Sequence, residues 1–190
     1  AIVDKLNVDS QSVLLLTVAM MRPGDKVQSY EILAQALHLI ENQNWVLLIV
    51  GSGSEAPQVR SFFSAFGNRI VWLGKVEADR LATLYSASDI FVWPAVKESP
   101  GMCFLEAMAA GTPVIGGDSG GVPDIVEHNV TGLLAKHLDV DDFAACVKTL
   151  VVDKGRRRTM GAAGAMNVYR YHKIESAGER LKTLLSNIAL

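Results

Sequence analysis

Cysteine is scarce in this chain of 190 residues, with only Cys103 and Cys146. Two thiols that far apart fit neither a disulfide scaffold nor a zinc-ligand spacing, and they suit a reducing compartment. Charge of one sign is also lacking. Eighteen Lys and Arg face twenty Asp and Glu, for a formal net charge of −2. That balance argues against general nucleic-acid affinity. No apolar run reaches the ~18 residues that a membrane span needs, and no signal peptide opens the chain. The expected location is the cytoplasm, and Arg156-Arg-Arg158 leaves open peripheral contact at the inner face of a membrane, although three charges on a helix usually form a solvated face. The four histidines show no metal spacing. Low-complexity segments, internal repeats and interior linkers are absent as well. A length of 190 residues fits one domain spanning residues 1–190.

The chain does contain short apolar runs in quantity; 49% of its residues are hydrophobic. Ser12-Val-Leu-Leu-Leu-Thr-Val-Ala19 and Trp45-Val-Leu-Leu-Ile-Val50 have the continuous pattern of strands buried on both faces. Ile70-Val-Trp-Leu73, Asp89 to Trp93, Pro113 to Gly116 and Gly132 to Ala135 supply four more. Between them lie helical patterns: one carrying Ile32, Leu33, Ala36, Leu37 and Ile40, then Glu55 to Phe66, Glu77 to Ala87 and Met102 to Ala110. Beyond Asp139 the pattern is helical to the end, with breaks near Gly155 and Lys173. Alternation at this spacing predicts an α/β fold with a doubly wound, Rossmann-like parallel sheet. Residues 1–11 give little signal and suit the remnant of a linker.

The stretch with most chemistry is Glu98-Ser-Pro-Gly-Met-Cys-Phe-Leu-Glu106. Glu98 falls on the loop at a strand's carboxyl end, where open α/β sheets bind ligands. Glu106 falls on a helix with apolar neighbours (Phe104, Leu105, Ala107, Met108), so it is expected to be a buried carboxylate in need of a partner or a ligand. This stretch resembles the E-x7-E signature of the retaining group 1 glycosyltransferases, which have the two-domain GT-B fold. The likeness continues through Ala107-Met-Ala-Ala-Gly-Thr-Pro-Val114, Gly120-Gly-Val-Pro-Asp-Ile-Val126 and Thr131-Gly-Leu-Leu134.

The resemblance implies that the chain is the C-terminal, donor-binding half of a GT-B enzyme. Such an enzyme moves a hexose from a nucleoside diphosphate sugar to a hydroxyl acceptor with retention of configuration, in polysaccharide, lipopolysaccharide or glycolipid synthesis. The acceptor, a glycan or lipid, would be held by an N-terminal domain absent from this chain, leaving these residues inactive alone. Glu98 inherits the catalytic role beside the donor sugar. Glu106 inherits the ribose hydroxyls, and Lys26 and Arg22 the diphosphate. The donor site extends to Ser99, Gly101, Met102, Cys103 and Leu105 at the helix start, where free amides approach anions. Gly74, Lys75 and Gly53 complete it from neighbouring loops. The donor is a UDP-, GDP- or ADP-sugar, with no further cofactor. Two departures stand out. The family more often has Gly-Phe-Gly where this chain has Ser99-Pro100, and Met20 or Met21 occupies its arginine slot, which displaces Arg22.

Alternatives weighed from the residues are a non-catalytic nucleotide-sugar binding module, a GT-B-like sugar-nucleotide epimerase, and a glycosidase, which would need its two carboxyls facing each other across a bond. Gly51-Ser-Gly-Ser-Glu-Ala56 also matches the dinucleotide fingerprint G-x-G-x-x-A. It follows the second strand, however, and the next strand ends Leu73-Gly74-Lys75 with no acidic residue for an adenosine ribose. Asp139-Val-Asp141 matches a D-x-D metal pattern, yet it precedes a helical run, where acidic residues cap. No metal is expected.

Overall fold

A computed structural model describes residues 9, 11–99 and 101–172. Six strands form one sheet: β1 (Val13–Val18), β2 (Trp45–Val50), β3 (Ile70–Gly74), β4 (Ile90–Trp93), β5 (Val114–Gly117) and β6 (Gly132–Ala135). Every pairing is parallel and the order is β3-β2-β1-β4-β5-β6. A parallel sheet has helical crossovers over both faces, which explains the uninterrupted apolar strands. Leu15, Leu16, Leu47, Leu48, Phe91, Val92 and Ile115 are each 0% exposed. Burying such a side chain contributes about 1.5–3 kcal/mol.

Between the strands run α1 (Asp25–Leu39), α2 (Ala56–Phe62), α3 (Ala78–Ala87) and α4 (Met102–Ala109). After β6 come α5 (Val140–Val152) and α6 (Lys154–Tyr171). Helix α1 packs on α2 and α5, and α4 packs on α3 and α6. From β1 the winding goes outward through β2 to β3; from β4 it goes the other way through β5 to β6. Strand order therefore reverses between β1 and β4, the position at whose carboxyl edge open α/β sheets generally bind ligands.

Two boundaries differ from expectation. Helix α2 stops at Phe62, and a 3-10 turn over Ser64–Arg69 follows, because Gly67 takes a left-handed φ of 54° and turns the chain into β3. The break in the last helical region falls at Asp153 rather than Gly155. The Asp153 carboxylate accepts the Arg156 amide at 2.8 Å, capping α6 and placing Gly155 inside its first turn. The proposed terminal helix, residues 175–190, and Pro100 lie outside the described residues.

Candidate donor-sugar site

The reversal point is bridged by two ion pairs, an exposed one of Lys97 with Asp25 at 4.0 Å and a more buried one. Lys26, in the first turn of α1, binds Glu98 Oε2 through Nζ, joining the loop after β1 to the loop after β4. Trp93 Nε1, at the end of β4, donates to the same Oε2 at 3.0 Å. The ammonium also lies 5.5 Å from the centre of the Trp93 ring. The Glu98 side chain is 14% exposed and Lys26 30%. A pair this withdrawn from water is held in place only because both charges have hydrogen-bonded partners.

The backbone around Glu98 is shaped for that position. Ala95 and Lys97 both take left-handed conformations, with φ of 56° and 49°. Non-glycine residues adopt such φ values at a cost, and only where surrounding bonds fix them. Those bonds are present. The Val96 amide donates to Ser29 Oγ at 3.0 Å, and the Glu98 amide to the Ala95 carbonyl at 3.2 Å. The Gly121 amide donates to the Glu98 carbonyl at 3.1 Å. A Cβ on Gly120 would come within 2.2 Å of that carbonyl, so the Gly-Gly turn is needed to hold the loop.

Helix α4 starts at Met102, after Gly101. A Cβ on Gly101 would press to 2.6 Å from the buried Phe104 ring, so the residue is glycine for packing as much as for ligand approach. The Cys103 thiol is pushed up to about 12, first by burial and then by the Glu98 charge, with Lys26 opposing. It stays a protonated thiol at neutral pH and is no nucleophile. Leu105 is half-buried, and Ser99 and Met102 are exposed.

Glu106 departs from the expected burial: it is exposed. Phe104, Ala107 and Met108 turn into the core, whereas Met102, Glu106 and Ala109 share the outer stripe of the helix. Its carboxylate stands at a groove of about 460 Å³ between α3 and α4, lined in part by Leu81, Ala82, Tyr85 and Ala109. Tyr85 donates its hydroxyl to Glu106 Oε2 at 2.9 Å.

The remaining loops of this edge are tied to one another. The Met21 amide donates to the Ser52 carbonyl at 3.0 Å, and the Glu55 amide to the Met21 carbonyl at 3.1 Å. A Cβ on Gly53 would sit 2.1 Å from the Met21 carbonyl oxygen. The glycines of the fingerprint-like loop thus let two backbones touch. Gly74 turns β3 outward with φ of 65°, and Lys75 beyond it is exposed. Arg22 is exposed and makes no ion pair among the described residues.

Lys26 and Glu98 are therefore brought into contact, with Cys103 beside them and Glu106 one helical turn further on. Trp93, Tyr85 and Ser29 are the contributors that sequence reasoning missed. The available signal was polar atoms on otherwise apolar positions: an indole and a phenol inside a core must find a hydrogen-bond partner. Asp139 caps α5, accepting the Asp142 amide at 2.9 Å, and Asp141 lines a different groove, beside α1. Among the described residues no three His, Cys, Asp or Glu side chains cluster as metal ligands.

The family described as glycosyl transferases group 1 matches residues 12–153. The chain belongs to that family. Among curated relatives it is 37% identical over 148 residues to a GDP-mannose-dependent monoacylated alpha-(1-6)-phosphatidylinositol monomannoside mannosyltransferase of Corynebacterium glutamicum, covering 74% of this chain and 39% of the relative. It is 28% identical over 177 residues to N-acetyl-alpha-D-glucosaminyl L-malate synthase of Bacillus anthracis, covering 92% and 45%. The chain thus spans less than half of these relatives' lengths. Among solved structures, sucrose-phosphate synthase from Thermosynechococcus elongatus matches with a TM-score of 0.83 at 27% identity, over 97% of this chain and 47% of that one. A C-terminal domain of a group 1 family glycosyl transferase from Francisella tularensis matches at 0.77 and 22% identity, over 90% of each chain. The Rossmann-like sheet with its reversal point is thus the GT-B domain fold of group 1 glycosyltransferases.

Proposed function

We propose that this chain is the donor-binding domain of a retaining glycosyltransferase that moves a hexose from a nucleoside diphosphate sugar to a hydroxyl acceptor. The observation that carries the reading is the Lys26–Glu98 contact across the strand-order reversal, with Glu106 exposed one turn further along α4. Lys26 supplies positive charge where a diphosphate lies against the first turns of α1 and α4, and charge-assisted bonds to phosphate oxygens are strong. Glu98 faces the sugar, where a carboxylate stabilises an oxocarbenium-like centre as the leaving diphosphate takes the acceptor proton. Trp93 keeps that carboxylate in place when Lys26 turns to the diphosphate. Glu106 accepts ribose hydroxyls. The acceptor is held by a second domain, and assays of transfer require it.

GDP-mannose is the first donor to try, because relatives at 37% and 39% identity carry GDP-mannose dependence in their names. Thermal shift with UDP, GDP and ADP and their sugars tests the reading. One of these diphosphates stabilises the chain, and Glu106→Ala weakens its binding by about 1–3 kcal/mol as charged hydrogen bonds to ribose are lost. No stabilisation by any of the three, or full affinity in Glu106→Ala, refutes it.

Metal is not needed in this scheme, because Lys26 and the amides at the start of α4 neutralise the diphosphate. Excess EDTA is expected to leave nucleotide binding and transfer unchanged. Activity lost in EDTA, restored by manganese and abolished in Asp139→Asn/Asp141→Asn, would show the opposite.

A further inference from the structure

The hydroxyl of Tyr85 meets Glu106 from α3, twenty-one residues earlier in the chain. The two partners differ in what they need. Tyr85 is 2% exposed, so its hydroxyl requires an acceptor. Glu106 is exposed and can be satisfied by water, so the fold does not need the bond for the carboxylate's sake. What the bond does is remove the freedom of a side chain that otherwise samples several rotamers.

Tyr85 is itself fixed. Its carbonyl accepts Thr112 Oγ1 at 2.6 Å and the Ser88 amide at 3.1 Å. Its ring packs against Phe91 on β4, with centroids 5.9 Å apart. The phenol is held above its ordinary pKa by burial, then by Cys103 and by the Glu106 charge, so it remains a donor throughout the working pH range. Oε2 accepts the phenol's hydrogen bond, and among the described residues no other side chain bonds this carboxylate, which lines the groove. A carboxylate so oriented presents two acceptor sites, and a ribose presents two vicinal hydroxyls.

We propose that Tyr85 is a positioning residue that fixes the Glu106 carboxylate in the orientation that accepts the ribose 2′- and 3′-hydroxyls. The proposal rests on the reading of Glu106 as the ribose acceptor. Pre-organisation of this kind is paid before binding, so its loss appears as affinity for the hydroxyls and not for the rest of the nucleotide.

The test compares the tightest-binding of UDP, GDP and ADP with its 2′,3′-dideoxy form, on the intact chain and on Tyr85→Phe. The wild-type chain is expected to prefer the ribonucleotide by about tenfold or more, and Tyr85→Phe to retain at most about threefold, with dideoxynucleotide affinity unchanged. Unchanged dideoxy binding also shows that the variant is folded. Full discrimination in Tyr85→Phe overturns the proposal and leaves the role of Glu106 standing. An equal loss for both nucleotides also overturns it, since that marks a merely structural tyrosine. No discrimination in the wild-type chain removes the ribose role of Glu106, and the proposal falls with it.

Discussion

Glu98→Gln is expected to lower kcat for sugar transfer by about 10²–10³-fold, the loss typical of one preorganised electrostatic group. In the same variant, nucleoside diphosphate affinity holds within about threefold or becomes tighter. The substitution is nearly isosteric. The glutamine oxygen still accepts Trp93 Nε1, so the loop with left-handed Ala95 and Lys97 has no reason to move. Only the charge is lost, and it has two uses. In the proposed scheme it faces the sugar when donor is bound, as positive charge develops there. Without donor it holds Lys26. A diphosphate arriving at the wild-type site must draw Lys26 away from Glu98, and in the glutamine variant that competition is gone. Lys26→Met is the complement: affinity for the diphosphate falls, because the cation is missing in both states. Initial rates and titration calorimetry, on an enzyme containing both domains, separate the two effects. Should Glu98→Gln lose affinity in step with rate, the division between sugar-facing and phosphate-facing groups would be wrong.

The sheet was legible because its strands are buried on both faces, so Leu14 to Leu16 and Trp45 to Val50 read as runs that no surface element would carry. The loop bearing Glu98 was legible for the same reason, since a strand ending in Trp93-Pro94 fixes where the carboxyl edge must be. Glu106 was misjudged on burial. Its helix is apolar at Phe104, Leu105, Ala107 and Met108, and so rich a pattern does not reveal which stripe faces outward; only packing on α3 and α6 decides it. Lys26 and Glu98 stand 72 residues apart in sequence, and their contact exists only because the strand order reverses between β1 and β4. Tyr85 was hidden by its own ring, which fits the apolar face of α3 as any core aromatic would. The 3-10 turn after Phe62 depends on a single left-handed glycine, and composition does not distinguish that use of glycine from any other.

Gly51 is where the largest loss of stability is expected. It follows β2 with φ of 143°, and its amide donates to the Gly74 carbonyl at 2.8 Å, linking the ends of β2 and β3. On its other side a Cβ would lie 1.9 Å from the Ala19 carbonyl oxygen, the atom to which Tyr30 donates at 2.8 Å. The obstacle is backbone at the end of β1, with no flexible side chain able to swing aside. Left-handed strain alone costs about 1–3 kcal/mol. Separating the ends of β1 and β2, or breaking the Tyr30 bond, adds to it, for a total of about 3–5 kcal/mol. In a chain of this size that corresponds to a fall in Tm of about 6–20 °C. Gly155→Ala is the control. Gly155 lies in the first turn of α6, and its added Cβ would meet only the end of the Asp153 side chain, at 3.3 Å. A mid-helix Gly→Ala exchange stabilises by about 0.5–1 kcal/mol, and here the contact with the capping Asp153 Oδ1 offsets part of that gain, so this variant should melt close to the wild-type temperature. Chemical denaturation of the three proteins decides the matter. A Gly51→Ala chain within about 1 kcal/mol of wild type would mean that the loops after β1 and β2 can part without cost, and the rigid edge on which Lys26 and Glu98 are aligned would have to be given up.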